Sequence, residues 1–175
     1  MDDLDALVAR LEQALARHRP DLLADLNPPA TEADLAALQA ALGQPLPDGL
    51  RRWLARHDGQ RAAAGGLFED GGHEALSARG ILAQWSLWAR MLDEGRFASR
   101  LAEAAPGVRA AWWDRGWVPF THDGAGSHLC LDLAPAEGGT PGQVIAVAGD
   151  GPAREVRAVS LQAWLAQAID RIGAG

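Results

Sequence analysis

Residues Trp112 to Asp132 read WWDRGWVPFTHDGAGSHLCLD. Two tryptophans are followed by a third after the charged turn Asp114-Arg115-Gly116, and Val118-Pro119-Phe120 forms a short apolar run. The glycine-rich turn Asp123-Gly124-Ala125-Gly126 comes next. Beyond it Leu129, Leu131 and Leu133 fall on one parity, with His128, Cys130 and Asp132 on the other. Alternation with a period of two, bounded by glycine turns, predicts a half-buried strand. Two such runs joined by about four turn residues predict a β-hairpin with an aromatic entry.

The chain on either side supplies what packs on that hairpin. Leu4, Leu7, Val8, Leu11 and Leu15 recur at three- and four-residue steps and predict a helix over 3–18, capped by Asp2 or Asp3 and stopped by Pro20. A short helical turn is expected over 21–26. Thr31 opens a second helix that Gly43 closes, and a third spans about Asp48 to Arg56, burying Leu50, Trp53 and Leu54. Residues 60–73 are glycine-rich, with a short strand at Leu67-Phe68 and a flexible acidic loop at Glu69-Asp70. Ser77 caps a helix to about Glu94, with Ile81, Trp85, Trp88 and Leu92 on its buried side. Residues 97–106 predict at most one further helical turn. QVIAVA (143–148) and 155–159 read as strands, and Ser160 caps a last helix bearing Leu161, Trp164, Leu165, Ala168, Ile169 and Ile172. Helices, then strands, then one helix imply an α+β fold with an antiparallel sheet. Neither an internal repeat nor a linker stands out, so residues 1–175 are expected to form a single domain.

The net charge is −7, and all basic residues are arginine. This balance argues against sequence-independent nucleic-acid binding, which needs a basic footprint, and against anionic membrane surfaces. No run of about 18 apolar residues occurs, so no transmembrane helix is expected. One cysteine excludes an internal disulfide. Asp2, Asp3 and Asp5 stand where a secretory signal carries positive charge, so a cytoplasmic location is expected.

His122, Asp123, His128, Cys130 and Asp132 are ligand types for zinc and components of a Cys-His-acid nucleophilic site. Same-face neighbours on a strand lie about 6.6–6.8 Å apart, which is long for direct nucleophile–base contact. Cys130 lies between two leucines, and free cysteine is among the most buried residue types, so its structural reading is favoured. The glycine segments 123–126 and 138–142 match neither the P-loop nor the dinucleotide fingerprint and read as turns. No carboxylate spacing singles out a glycosidase pair. Neither a catalytic group, a metal nor a cofactor is assigned. Trp53, Trp85, Trp88 and Trp164 sit on apolar helix faces. Trp112 and Trp113 are adjacent; on a strand one of them would face outward, where an exposed indole makes an interface anchor, and the alternative, burial of both in the core, is the favoured reading.

Trp112-Trp113, Gly116-Trp117-Val118-Pro119, Asp123-Gly-x-Gly126, Cys130-Leu-Asp-Leu133 and GGTPGQVI (138–145) together resemble the SUKH superfamily, the Smi/Knr cell-wall-regulator-like domain. Leu46-Pro47, Trp53-Leu54 and His57-Asp58-Gly59 are similar to that family's N-terminal signature, and the likeness runs from Pro29 to Ile169. The resemblance implies a twisted antiparallel sheet of about six strands flanked by helices. It also implies that Trp117, Pro119, Gly126, Cys130 and Asp132 are architectural. Many bacterial members are immunity proteins that neutralise a cognate toxin, whereas eukaryotic relatives suggest a regulatory or scaffold module. On the first reading the partner is a protein toxin, such as a basic nuclease domain, bound by a monomer or weak homodimer. Its contact surface would be centred on Trp112 or Trp113 and rimmed by Glu69, Asp70, Asp93, Glu94, His122 and Asp123.

Overall fold

The computed structural model describes residues 3–174. The first three helices are α1 (Leu4–His18), α2 (Pro20–Asp25) and α3 (Glu32–Leu42). They are followed by α4 (Asp48–Arg56), β1 (Glu74–Ala75), α5 (Ala78–Asp93), β2 (Glu103–Ala104), β3 (Trp117–Pro119) and β4 (Thr121–His122). The C-terminal part comprises β5 (His128–Asp132), β6 (Gln143–Val147), β7 (Ala153–Ala158) and α6 (Leu161–Ala174). Five strands form one sheet in the order β2-β7-β6-β5-β3, and β1 pairs with β4 in a separate two-stranded sheet.

β5 lies inside the sheet, between β3 and β6. All five of its residues are buried, so its alternation does not separate core from solvent as expected for a half-buried strand; it separates two cores. Leu129 and Leu131, with Val118, Val144 and Ala158, face a core built from α1, α4 and α6. Cys130, with Trp117, Ile145 and Val147, faces a second core containing Trp85, Trp88, Trp112 and Trp113. α5 serves both: Ala78 and Ile81 pack in the first core, and Trp85, Trp88 and Ala89 in the second.

The sheet is mixed, not wholly antiparallel. β2 pairs parallel to β7 through Glu103↔Ala153 and Ala104↔Arg154, where the sequence predicts only a helical turn. Two residues without β-branching carry no strand signal; the pairing is imposed by the edge of β7. The hairpin register is Trp117↔Asp132, Val118↔Leu131 and Pro119↔Cys130. Pro119 fits because β3 is an edge strand, where one missing donor costs little. Since β2 and β3 are opposite edges, residues 105–116 cross the whole sheet face between them. That crossing holds Trp112 and Trp113 over the second core instead of on a strand. Both indoles are buried, at 7% and 2% exposure, in line with the core reading, and neither is the exposed interface anchor of the alternative.

Caps follow the sequence where the side chain has no competing partner. Thr31 accepts from the Asp34 N–H, Ser77 from Gly80 and Ser160 from Ala163. Asp3 does not cap α1 through its side chain; its carboxylate takes Arg52 at 3.2 Å instead. Asp2 lies outside the described residues. Arg52 also pairs with Asp5, and Arg56 with Glu12, tying α4 to α1, while Asp48 pairs with Arg52 within α4. Exposed pairs of this kind contribute roughly 0–1 kcal/mol each, so the leucine stripe of α1 does most of the holding. Leu4, Leu7, Val8, Leu11 and Leu15 are all buried.

Candidate functional site

The signature His57-Asp58-Gly59 begins a segment that builds a ridge between two clefts. His57 Nε2 lies 2.7 Å from Glu12, and Asp58 accepts the Ala78 N–H at 2.7 Å, joining the exit of α4 to α1 and to the start of α5. Gly59 has φ +64, and a Cβ there would lie 2.5 Å from the Ala75 carbonyl oxygen, so no other residue fits. Gln60 is the buried hub that follows. Its Oε1 accepts from the Leu67 and Ala75 amides, while its Nε2 donates to Gly65 O and to Asp25. Burial opposes ionisation of Asp25, but the bonds from Gln60 and the Ala63 and Ala64 amides outweigh it and hold its pKa below the ordinary value.

This scaffold sets a ridge at residues 66–73. Phe68 and His73 exchange both backbone hydrogen bonds, so the expected strand at Leu67-Phe68 is reduced to one bridge. Between them Glu69, Asp70 and Gly71 turn left-handed, with φ 49, 56 and 87. Left-handed backbone costs an L-residue roughly 1–2 kcal/mol, and the paired Phe68–His73 backbone bonds close the loop around these residues. Arg171 of α6 reaches Glu69 at 3.4 Å, and Phe68 packs edge-on against Trp164 at 4.7 Å. On one side of the ridge lies a cleft of ≈ 380 Å³ whose apolar floor includes Leu22, Phe68 and Ile172, with Arg19 and Arg171 beside it. On the other side a cleft of ≈ 190 Å³ is lined by His73, Ser127, His128 and Arg157. Glu69 borders both.

Behind the second cleft the hairpin turn meets β1. Asp123 accepts from the Ala125 and Ser127 amides, both at 2.8 Å, and Gly126 closes the turn at φ 99. Burial works against ionisation of Asp123, yet those amide bonds keep its pKa below the ordinary value. His128 Nδ1 donates to Thr121 O at 2.8 Å, and its Nε2 accepts the Trp88 indole N–H at 3.1 Å. Burial of this neutral tautomer lowers the His128 pKa to about 4. His73 Nδ1 lies 2.8 Å from Thr121 Oγ1, and burial lowers its pKa as well.

Of the residues expected to be architectural, Trp117, Pro119, Cys130 and Asp132 are buried in strands, and Gly126 is half-buried in the hairpin turn. Trp117, Cys130 and Asp132 each have 0% exposure. Burial pushes the Cys130 thiol well above its usual range, away from the thiolate that nucleophilic chemistry needs. Asp132 accepts from the Ala134 amide at 3.1 Å and the Gln143 side chain at 3.0 Å, and burial raises its pKa. Among the described residues no three His, Cys, Asp or Glu side chains converge as a metal site requires. Nor is any described helix long and apolar enough to cross a membrane.

Of the residues expected at a partner surface, Glu69, Asp70, His122 and Asp123 gather around the ridge. Asp93 and Glu94 do not. They end α5, whose 16 residues place them about 24 Å from the β1 end of that helix. Asp93 is paired with Arg115, and Glu94 with Arg96 at 2.8 Å, so no continuous acidic rim forms. Trp112 is enclosed between two guanidinium groups, Arg100 and Arg154, each 4.8 Å from its ring, and cannot serve as the exposed anchor. His73, Gln60, Asp25 and Arg154 were not legible beforehand. A lone polar residue in a loop or a strand carries no periodic signal; only the tertiary structure gives it partners.

The profile of the SMI1 / KNR4 family (SUKH-1) matches residues 29–167. The chain is 33% identical to the cell wall biosynthesis/cell cycle regulator smi1 of Schizosaccharomyces pombe, over 78% of this chain and 30% of that protein. It is 26% identical to KNR4/SMI1 homolog 2 of Debaryomyces hansenii, over 94% of this chain and 35% of that one. To the cell wall assembly regulator SMI1 of Saccharomyces cerevisiae it is 24% identical, over 77% of this chain and 34% of that protein. The chain thus spans about a third of the length of these curated relatives. The matched span starts at Pro29, where the likeness was read to begin, and ends within α6, and the chain belongs to the SMI1/KNR4 (SUKH-1) family.

Proposed function

We propose that this chain is a non-catalytic interaction module of regulatory type, presenting the 66–73 ridge and its two clefts to a protein partner. The observation that carries the reading is the set of relatives, which are named as regulators of cell wall assembly and biosynthesis. The chemistry agrees with it: the cysteine is enclosed, and Asp132 and His128 are committed to hydrogen bonds inside the fold. A ridge that sets Glu69 and Asp70 between two clefts offers a partner both shape and negative charge.

The immunity reading has one observation in its favour, the net charge of −7, which would speed encounter with a basic toxin domain. Two experiments separate the readings. In the first, this chain replaces the matching region of the Schizosaccharomyces pombe regulator, and growth under cell-wall stress is scored. Rescue supports the regulatory module. In the second, stopped-flow association with a basic nuclease toxin domain is followed across a salt series. An inert chimera combined with fast association that falls steeply with ionic strength would overturn the regulatory reading in favour of immunity.

A further inference from the structure

Three of the five histidines meet at one junction, where the small β1–β4 sheet leans on the main one. His122 stacks on His128 with ring centroids 5.0 Å apart and nearly parallel planes. His128 is 1% exposed and has both ring nitrogens engaged. Its Nε2 must stay unprotonated to accept from Trp88, because an imidazolium there would set one donor against another. Thr121 is the link to the ridge. Its Oγ1 accepts the Leu129 amide at 2.9 Å, which leaves the hydroxyl proton for His73 Nδ1. His73 in turn closes the ridge by exchanging backbone bonds with Phe68. The charged groups around the three rings come from every neighbouring element: Glu69 on the ridge, Glu74 on β1 at 3.8 Å from His122, Asp123 on the turn and Arg157 on β7. α5 contributes only the neutral Trp88.

We propose that His73, His122 and His128 form an acid-released latch that fastens the 66–73 ridge to the main sheet. At neutral pH the chain Trp88–His128–Thr121–His73 is complete. Protonating His128 breaks its first link and loosens the β1–β4 pairing that carries the ridge. An open state that frees His128 recovers an ordinary histidine pKa near 6.5, so acid favours it. With the closed value at about 4, linkage predicts an opening equilibrium roughly 30-fold larger at pH 5 than at pH 7.5. The latch would regulate the surface named under Proposed function, but its opening is measured without any partner, so either idea can fail alone.

Amide hydrogen exchange on the full chain, corrected for intrinsic pH dependence, reads the opening segment by segment. Peptides covering 66–76 and 120–129 should exchange tens of times faster at pH 5, while α1 and α6 stay protected. His73→Asn keeps an acceptor for Thr121 but does not titrate, and it should reduce the response; His128→Asn should reduce it further if it folds. Acceleration spread evenly over the whole chain, or an unchanged pH response in His73→Asn, would overturn the latch.

Discussion

Trp117 shows how one residue carries the hairpin. It is fully buried and lies edge-on to Trp113 at 5.8 Å, and it pairs across the strand with Asp132. Trp117→Ala should cost about 3–5 kcal/mol, read as a fall in the urea midpoint at unchanged slope. Cys130 sits two register positions away, paired with Pro119. Native protein should resist a thiol reagent until denatured, and rapid stoichiometric labelling would contradict its burial. His128 sets the acid side of the stability curve. Its folded pKa is depressed to about 4, so the unfolded chain takes up a proton that the folded one refuses as pH drops below about 6.5. Its stabilising contribution is therefore intact above pH 6.5 and is lost as pH falls, amounting to about 3 kcal/mol by pH 4. His73 acts in the same direction. The depressed carboxylates Glu12, Asp25 and Asp34 add their loss only at the acid end, below their ordinary pKa values. Denaturant titrations at pH 7.5, 6.0 and 5.0 should show the decline starting above the carboxylate range; a flat curve there would contradict the buried neutral imidazole.

At the scale of elements, the left-handed turn at Glu69–Gly71 stores strain that the helices do not. Asp70 is exposed, with φ 56, so Asp70→Gly should stabilise the fold by up to about 1 kcal/mol. A stability loss would mean that the Asp70 side chain makes a compensating contact. Helices were legible because their apolar spacing and caps agree: Thr31, Ser77 and Ser160 bond as their positions predict. β5 and β6 were legible for the same reason. β2 was not, since two residues cannot display a period, and neither was the crossing segment 105–116, whose course follows from which edges it joins. The face choice on β5 failed for a related reason. Alternation shows that two sides differ, and both sides here are core, one lined by leucine and the other by tryptophan.

Across the whole molecule, a sheet covered on both faces leaves function to loops and edges. The residues that first invite a catalytic reading, Cys130, His128 and Asp132, share one strand parity and are enclosed together. Half of the candidate surface was visible as the acidic pair Glu69-Asp70 and the turn His122-Asp123. The other half, His73 and the two clefts, arises only when β1 brings residue 74 opposite residue 122. On the proposed function the ridge, not the interior, meets the partner. The most direct test uses the Schizosaccharomyces pombe chimera carrying Glu69→Lys/Asp70→Lys, with the thermal midpoint of the isolated variant chain measured alongside. The account predicts a fold that melts within a few degrees of the parent and a chimera that no longer supports growth under cell-wall stress. A charge-reversed chimera that rescues as well as the parent chimera would contradict it.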